Sequence, residues 1–372
     1  MSRAAALHER AIALRGAMRL PEAERCCRQA LALYEAAEGR AHPDVANALV
    51  ELGQIVEGRD RLREAARHHR RAMTILARTD ESDPDILRLA LRARVFLAGV
   101  ERALGHYPAA DRLFAAALRD AIRWFGRRDP DVSGILNNLG VLRKYQGRYA
   151  EAIVFYKRAL ALLGRSRDLD SLATLHHNLG GIEHARGRYA AGEPHARRSV
   201  ALREKALGAN HPVVAADVAA LAALVEGRGR LDEAARLYER ALAVFRRTLG
   251  PRSAEVGLNL GGLAALRQRQ GRTREAERLY GEALPILEQV YGRGHPEVAL
   301  TVNNLAYLVR ETGDLPRAER LYARALRSFR RALGPRHPHT RLCQANHRGV
   351  VAERARAAAP ARRLKPRARN RR

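Results

Sequence analysis

Metal binding and nucleophilic catalysis both need reactive side chains held at a fixed spacing, and this chain offers few. His68-His69 and His176-His177 are adjacent pairs. Neighbours on a helix point about 100° apart, so each pair makes a poor set of joint metal ligands. The three cysteines, Cys26, Cys27 and Cys343, have no metal-ligand spacing. So few thiols in a chain this long make no disulfide framework and read as small core-filling residues in a reducing compartment. There is no Gly-x-x-x-x-Gly-Lys, no Gly-x-Ser-x-Gly and no His-Glu-x-x-His. The expectation is a chain without catalytic residues, metal or cofactor. Trp124, single and next to Phe125, reads as packing. The remaining prominent histidines precede proline, at His42-Pro43, His211-Pro212, His295-Pro296 and His337-Pro338. They recur because a larger unit recurs.

That unit is explicit near the C-terminal end. Asp232–Leu242, Arg274–Leu284 and Pro316–Leu326 share the pattern Ala-x-Arg-Leu-Tyr-x-x-Ala-Leu at a step of 42 residues. Looser copies lie in phase at Glu151–Leu160, Ala109–Leu118, Glu64–Met73 and Glu22–Leu31, and Ala191–Val200 is the most divergent. A second signature precedes them: Asn137-Asn138-Leu139-Gly140, His177-Asn178-Leu179-Gly180 and Asn303-Asn304-Leu305-Ala306. Between the two falls a turn position, occupied in succession by Met18, Asp60, Gly105, Gly147, Gly187, Gly229, Gly271 and Gly313. Their spacings are 42, 45, 42, 40, 42, 42 and 42. Self-similarity at such a period is the mark of a stacked-repeat architecture.

Each unit reads as two helices. The first, helix A, starts at an X-Pro step, where proline costs nothing because its missing N–H would be unpaired in the first turn. The residue before proline is pushed out of the α region, which separates successive helices. Helix A stops at the turn position, where glycine tolerates the left-handed conformation. Helix B places its apolar residues at i, i+3, i+4, i+7 and i+8, one buried stripe. Alanines such as Ala234, Ala276 and Ala318 let neighbouring helices approach. The first A helix is expected at about Arg3 to Arg15. The expected architecture is all-α, about eight helix pairs plus a C-terminal capping helix that covers the apolar end of the stack. The repeats are expected at 1–41, 42–82, 83–128, 129–168, 169–210, 211–251, 252–294 and 295–336. The cap is expected at 337–357 and a disordered basic tail at 358–372.

The formal charge is +28. A basic chain attracts nucleic acid and acidic proteins. The basic residues are almost all arginine, the lysines being only Lys144, Lys157, Lys205 and Lys365. With so much alanine, that skew fits a GC-rich genome. The arginines are dispersed over every repeat, and only the tail, from Pro360 on, groups them without an acid. Charges at Arg3, Glu9, Arg10 and Arg15 interrupt any N-terminal signal segment. No run approaches the ~18 apolar residues needed to span a bilayer. A soluble cytoplasmic protein without membrane contact is the expectation.

The His-Pro, Leu-Asn-Asn-Leu-Gly/Ala and Glu-Ala-x-x-Leu-Tyr-x-x-Ala-Leu signatures resemble the tetratricopeptide repeat family. They are similar to the longer repeats of kinesin light chains and their bacterial relatives, over residues 1–357. The resemblance implies a right-handed α-α superhelix whose A helices line a concave groove. It further implies that the groove binds an extended peptide, with asparagines of the Asn-Asn signature on the peptide backbone. Carried over by position, the groove candidates are Asn137, Asn138, His177, Asn178, Asn303 and Asn304. One turn further along, Lys144, Tyr145, His184, Arg269 and Arg310 face or border the groove. An amide carries a donor pair and an acceptor and so can read a backbone amide of any sequence. Arginine beside it favours acidic side chains or a C-terminal carboxylate. Helix packing or capping is the competing role for these asparagines.

The signature is interrupted at Val50-Glu51, Val95-Phe96, Ala219-Ala220 and Gly261-Gly262. Gly192 and Pro194 also depart from the pattern, as a hinge or as drift. The leading function is a protein-interaction scaffold with a protein or peptide partner. The alternative is nucleic-acid binding, RNA in particular, through the arginine-rich surface and tail. Scarce exposed aromatics make poor stacking platforms for it.

Overall fold

The computed structural model describes residues 2–79, 83–164 and 167–358. Among the described residues there are seventeen helices and no strand. The A helices are α1 (Arg3–Gly16), α3 (Pro43–Glu57), α5 (Pro84–Ala103), α7 (Pro130–Tyr145), α9 (Leu169–Ala185), α11 (Pro212–Gly227), α13 (Ala254–Arg269) and α15 (Pro296–Glu311). Their B partners are α2 (Leu20–Glu38), α4 (Leu62–Leu76), α6 (Tyr107–Phe125), α8 (Tyr149–Leu163), α10 (Tyr189–Leu207), α12 (Leu231–Thr248), α14 (Thr273–Tyr291) and α16 (Leu315–Leu333). A last helix, α17 (Pro338–Ala358), packs on α16 and α15. The chain forms two compact units, Met1–Ile182 and Glu183–Arg372. The basic tail expected from 358 lies, beyond Ala358, outside the described residues.

The punctuation read from the sequence is realised residue by residue. Proline opens α3, α5, α7, α11, α15 and α17. All eight A–B turn positions have positive φ, including the two that are not glycine, Met18 (59°) and Asp60 (60°). A left-handed conformation costs a side-chain-bearing residue roughly 1–2 kcal/mol, so these two turns are strained relative to the other six. The histidines before proline cap the next A helix. The Nδ1 atoms of His42, His211, His295 and His337 accept from the backbone N–H two residues on, at 3.3, 3.3, 3.2 and 3.2 Å. Asp83 and Asp129 do the same with a carboxylate, at 2.8 and 2.9 Å. Each supplies an orphan donor of the first turn with an acceptor.

A second glycine register was not read from the sequence. Gly39, Gly126, Gly208, Gly250, Gly292 and Gly334 end B helices at φ between 81° and 89°. Their ψ values, from 149° to 166° where they cap α2, α6, α10, α14 and α16, put them in a region that is essentially glycine-only. The helices also absorb two interior prolines. Pro194 sits inside α10 and Pro285 inside α14, and neither ends its helix. Gly261-Gly262 likewise leaves α13 unbroken.

Within each unit the A layer is the tighter one. Successive A helices approach one another directly: α1 and α3, α3 and α5, α5 and α7 in the first unit, and α11 and α13, α13 and α15, α15 and α17 in the second. Among the described residues successive B helices have no such approach. They are bridged by long side chains, Arg28–Glu64, Glu35–Arg71, Arg197–Glu233, Glu204–Arg240, Arg246–Glu282 and Glu288–Arg324, each pair 36 residues apart. A layer that is close on one face and splayed on the other curves toward the close face, so each unit presents its A helices on the concave side.

The small residue of the Leu-Gly/Ala signature has a packing role. A Cβ at Gly140 would clash with the ring of buried Tyr156, and one at Gly53 with the imidazole of buried His69. Glycine therefore lets helix A close onto the aromatic slot of its own helix B.

Candidate peptide-binding cleft

In the first unit the concave faces of α5, α7 and α9 enclose a cleft of about 340 Å³. Leu91, Val95 and Phe96 of α5 form an apolar wall. Opposite lie Ile135, Asn137 and Asn138 of α7, with Leu175 of α9 beyond. The helical period puts these residues on one face: Gly134, Asn137 and Asn138 are three and four apart. Val95-Phe96, which break the Asn-Asn signature, thus line the same cleft as the asparagines one repeat on. Their departure makes the cleft amphipathic.

The candidate residues fall into distinct environments. Asn138 is half-buried, lines the cleft and has no hydrogen-bond partner among the described residues. Asn137 also lines it, but its Oδ1 accepts from Asn178 Nδ2 at 2.8 Å, so those two amides are partly satisfied by each other. His177 is half-buried on α9, and Lys144, also half-buried, places its ammonium beside Gly181. Tyr145 is exposed, with the Arg102 guanidinium 4.9 Å from its ring centre. His184 is exposed and packs edge-on to Tyr189 at 5.5 Å.

In the second unit Asn303 is buried, its Nδ2 reaching only Asn304 Oδ1 at 3.3 Å. Asn304 is half-buried. Arg269 pairs with Glu226 at 2.9 Å and Arg310 with Glu353 at 2.7 Å. Both arginines therefore already hold a carboxylate of a neighbouring A-type helix, which sequence reasoning missed. The spacing of 43 residues in both pairs was the available signal. At the cleft itself Arg92 is exposed and has no ion-pair partner among the described residues, whereas Asp131 is held by Arg88 at 2.6 Å.

Many of the other arginines are structural. Glu24 accepts from Arg28, Arg59 and Arg61, and Glu193 from Arg197, Arg228 and Arg230. Burial alone would raise each carboxyl's pKa; the hydrogen bonds from three guanidinium groups outweigh it and bring both down to about 2. Asp111 and Glu239, on the B helices of repeats three and six, likewise hold an arginine of the next A helix, Arg143 and Arg267. Burial pushes the Cys27 thiol up to about 12 and that of Cys343 to about 11, so both stay protonated. No cluster of histidine, cysteine and acidic residues able to hold a metal occurs among the described residues. No helix among them is long and apolar enough to cross a membrane.

Comparison with known proteins places this architecture. The family model for the tetratricopeptide repeat matches residues 2–78, 89–164, 171–247, 214–289 and 253–331. No curated protein matches the chain. Among solved structures, a Rap protein complexed with Competence and Sporulation Factor is similar at 12% identity, with a TM-score of 0.59 over 95% of this chain and 98% of that one. The apo form of RapI is similar at 14% identity, with a TM-score of 0.57 over 78% of this chain and 99% of that one. Kinesin light chain TPR-like repeats of Podosopora anserina share 21% identity over 55% of this chain and 98% of that one, at a TM-score of 0.46. At these identities the first two likenesses are of fold alone, and the third carries no argument. The family matches, with the paired helices and left-handed turns described above, establish that the chain belongs to the tetratricopeptide repeat family.

Proposed function

We propose that the chain is a protein-interaction scaffold that holds an extended peptide in the α5–α7–α9 cleft. The observation that carries this reading is Asn138: a half-buried carboxamide at the cleft with no partner among the described residues, facing an apolar wall. A polar group so placed is costly unless a ligand or water satisfies it. Its donor pair and acceptor suit a peptide N–H and C=O. The wall of Leu91, Val95 and Phe96 would receive an apolar side chain from the same peptide, and Arg92 would sit beside it. Asn137 and Asn178 hold each other and act as support. The similarly folded Rap protein was solved with Competence and Sporulation Factor bound, which is in keeping with a ligand-holding role for this fold. Arg269 and Arg310, with Asn303, fit structural roles better than ligand contact.

The test uses Gly134, a cleft residue at which an added Cβ would meet nothing within 4 Å. Peptides selected from a displayed random library on the wild-type chain should lose binding to Gly134→Trp, which fills the cleft while improving helix propensity. Asn138→Ala should weaken them by about tenfold, the worth of a well-placed buried hydrogen bond. Selected peptides that bind both variants as well as wild type would place the ligand elsewhere.

A further inference from the structure

A different face of the second unit carries a repeated apolar feature. Just before the left-handed glycines that follow its B helices stand Leu207, Leu249, Tyr291 and Leu333, each 42 residues from the last. The first three are exposed, at 40%, 42% and 36%, Tyr291 with one face stacked on the His295 ring at 4.5 Å, while Leu333 is half-buried. The corresponding residues of the first unit are not left bare and apolar. Glu38 is polar, Phe125 lies under the Arg88 guanidinium at 4.1 Å, and Leu163 lines the cleft. Single exposed leucines need no explanation, whereas a row recurring at the repeat period is a surface.

The same edge breaks a rule that six of the eight A helices keep, α1 with Ala4 being the other exception. The second residue of an A helix is acidic in α3, α5, α7, α9, α13 and α15: Asp44, Asp85, Asp131, Asp170, Glu255 and Glu297. A carboxylate there is favoured by the positive end of the helix dipole. In α11 that residue is Val213, and it is 41% exposed. The helix therefore forgoes a favourable charge for an exposed apolar side chain, six residues after Leu207. Local rules broken without local gain point to function.

The charge around the row is positive. Lys205, Arg247, Arg252 and Arg336 are exposed and have no ion-pair partner among the described residues. The dipole of the B-helix ends accounts for Lys205 and Arg247, but Arg252 and Arg336 stand in the following loops. Of the nearby acids, Glu204 is held by Arg240, and Glu288 by Arg293 and Arg324. Among the described residues, Glu255 and Glu297, at the starts of α13 and α15, offset the cations.

We propose that this edge, made by the ends of α10, α12 and α14 and the starts of α11, α13 and α15, docks an acidic protein segment that carries regularly spaced apolar side chains. The apolar row supplies the contact area and the unpaired cations select the acidic partner. This surface is separate from the α5–α7–α9 cleft.

The probe is a fluorescent peptide of about sixteen residues, glutamate with leucine at every fourth position, long enough to follow successive anchors along the edge. Equal-length polyglutamate, polyuridylate and phosphatidylserine vesicles serve as comparators, all with the full chain. The expected result is preference for the leucine-bearing peptide. Affinity should fall by about tenfold or more in Leu207→Ser/Leu249→Ser/Tyr291→Ser, as for loss of central apolar contacts. Val213→Glu separates docking from folding, because it restores the acid present in six of the other repeats. It should keep or raise the melting temperature and still weaken the peptide, while Asn138→Ala leaves this binding unchanged. Wild-type binding by Val213→Glu and by the triple variant would overturn the proposal. So would equal binding of polyglutamate, polyuridylate or vesicles, or no binding of the leucine-bearing peptide to the wild-type chain.

Discussion

The two units are built from one repeat and differ in how strictly they keep it. In the second unit the turn glycines Gly187, Gly229, Gly271 and Gly313 are all 42 residues apart, and after Ala196 the aromatic slot holds Tyr238, Tyr280 and Tyr322. In the first unit the turns fall at Met18, Asp60, Gly105 and Gly147, with steps of 42, 45 and 42, and the slot holds Cys27, His69, Phe114 and Tyr156. The consequence is visible in the interior. Buried apolar residues of the second unit form one contiguous cluster from Ala196 to Val350, whereas those of the first separate into three. A strict period lets each side chain meet the same neighbour again, so the core propagates. Substitutions and spacing changes interrupt it and leave room for polar residues such as His8 and His69, both buried. The amphipathic cleft arises in the irregular unit, where Val95-Phe96 replace amides.

The comparison can be broken most decisively in the regular unit. Tyr280→Ala should cost about 3–5 kcal/mol, the range for removing a large buried aromatic. Because the core is continuous there, the loss should lower the midpoint of that whole unit in urea rather than loosen one repeat. A change below about 1 kcal/mol, or one confined by hydrogen exchange to α13 and α14, would contradict a shared core.

Acid should separate the units next. His69 is buried with both ring nitrogens unpartnered, and burial brings its pKa down from the usual 6.5 to about 4. The unfolded chain binds that proton more readily than the folded one. The contribution to stability is therefore complete above about pH 6.5 and is lost as pH falls from there toward 4. At full extent this is roughly 3 kcal/mol, an order-of-magnitude figure from the shift. Urea midpoints of the first unit should decline over that window in wild type and more shallowly in His69→Phe. Identical slopes in the two proteins would refute the assignment to His69.

The smallest effect sharpens the comparison at the turns. Met18→Gly and Asp60→Gly should each stabilise the first unit by about 1 kcal/mol by relieving the left-handed strain. Gly313→Ala should do the reverse in the second unit. Thermal melts of the single variants suffice, and no gain at Asp60 would mean that its turn is held by contacts other than φ.

Helices, turns and their order were legible because they follow local rules. Proline at N1, a left-handed turn residue and an i, i+3, i+4 stripe each announce themselves within a few residues. What stayed hidden depends on pairs distant in sequence. The Arg–Glu bridges are offset by 36 residues in a 42-residue repeat, so neither partner marks the other in an aligned repeat. Gly140 reads as part of an Asn-Asn signature until the ring of Tyr156 is seen against it. For the cleft, the asparagines were legible by position. Their inequality was not, because whether an amide is satisfied depends on what faces it: Asn137 meets Asn178, and Asn138 meets nothing among the described residues.

The bridges between successive B helices have a consequence for how such a chain can change its length. Each joins residue i to residue i+36 across one junction, and the left-handed glycines recur at 42. Excising or duplicating a block of 42 residues between Gly208 and Gly334 would return each glycine to its own corner and each tyrosine to its own slot. The bridges, however, alternate in polarity, as Glu204–Arg240, Arg246–Glu282 and Glu288–Arg324, so only a block of two repeats keeps each arginine opposite a glutamate. The second unit is therefore built to gain or lose repeats in pairs. Blocks of 40 or 45 residues, the odd steps at Gly147–Gly187 and Asp60–Gly105, would put every one of those partners out of phase.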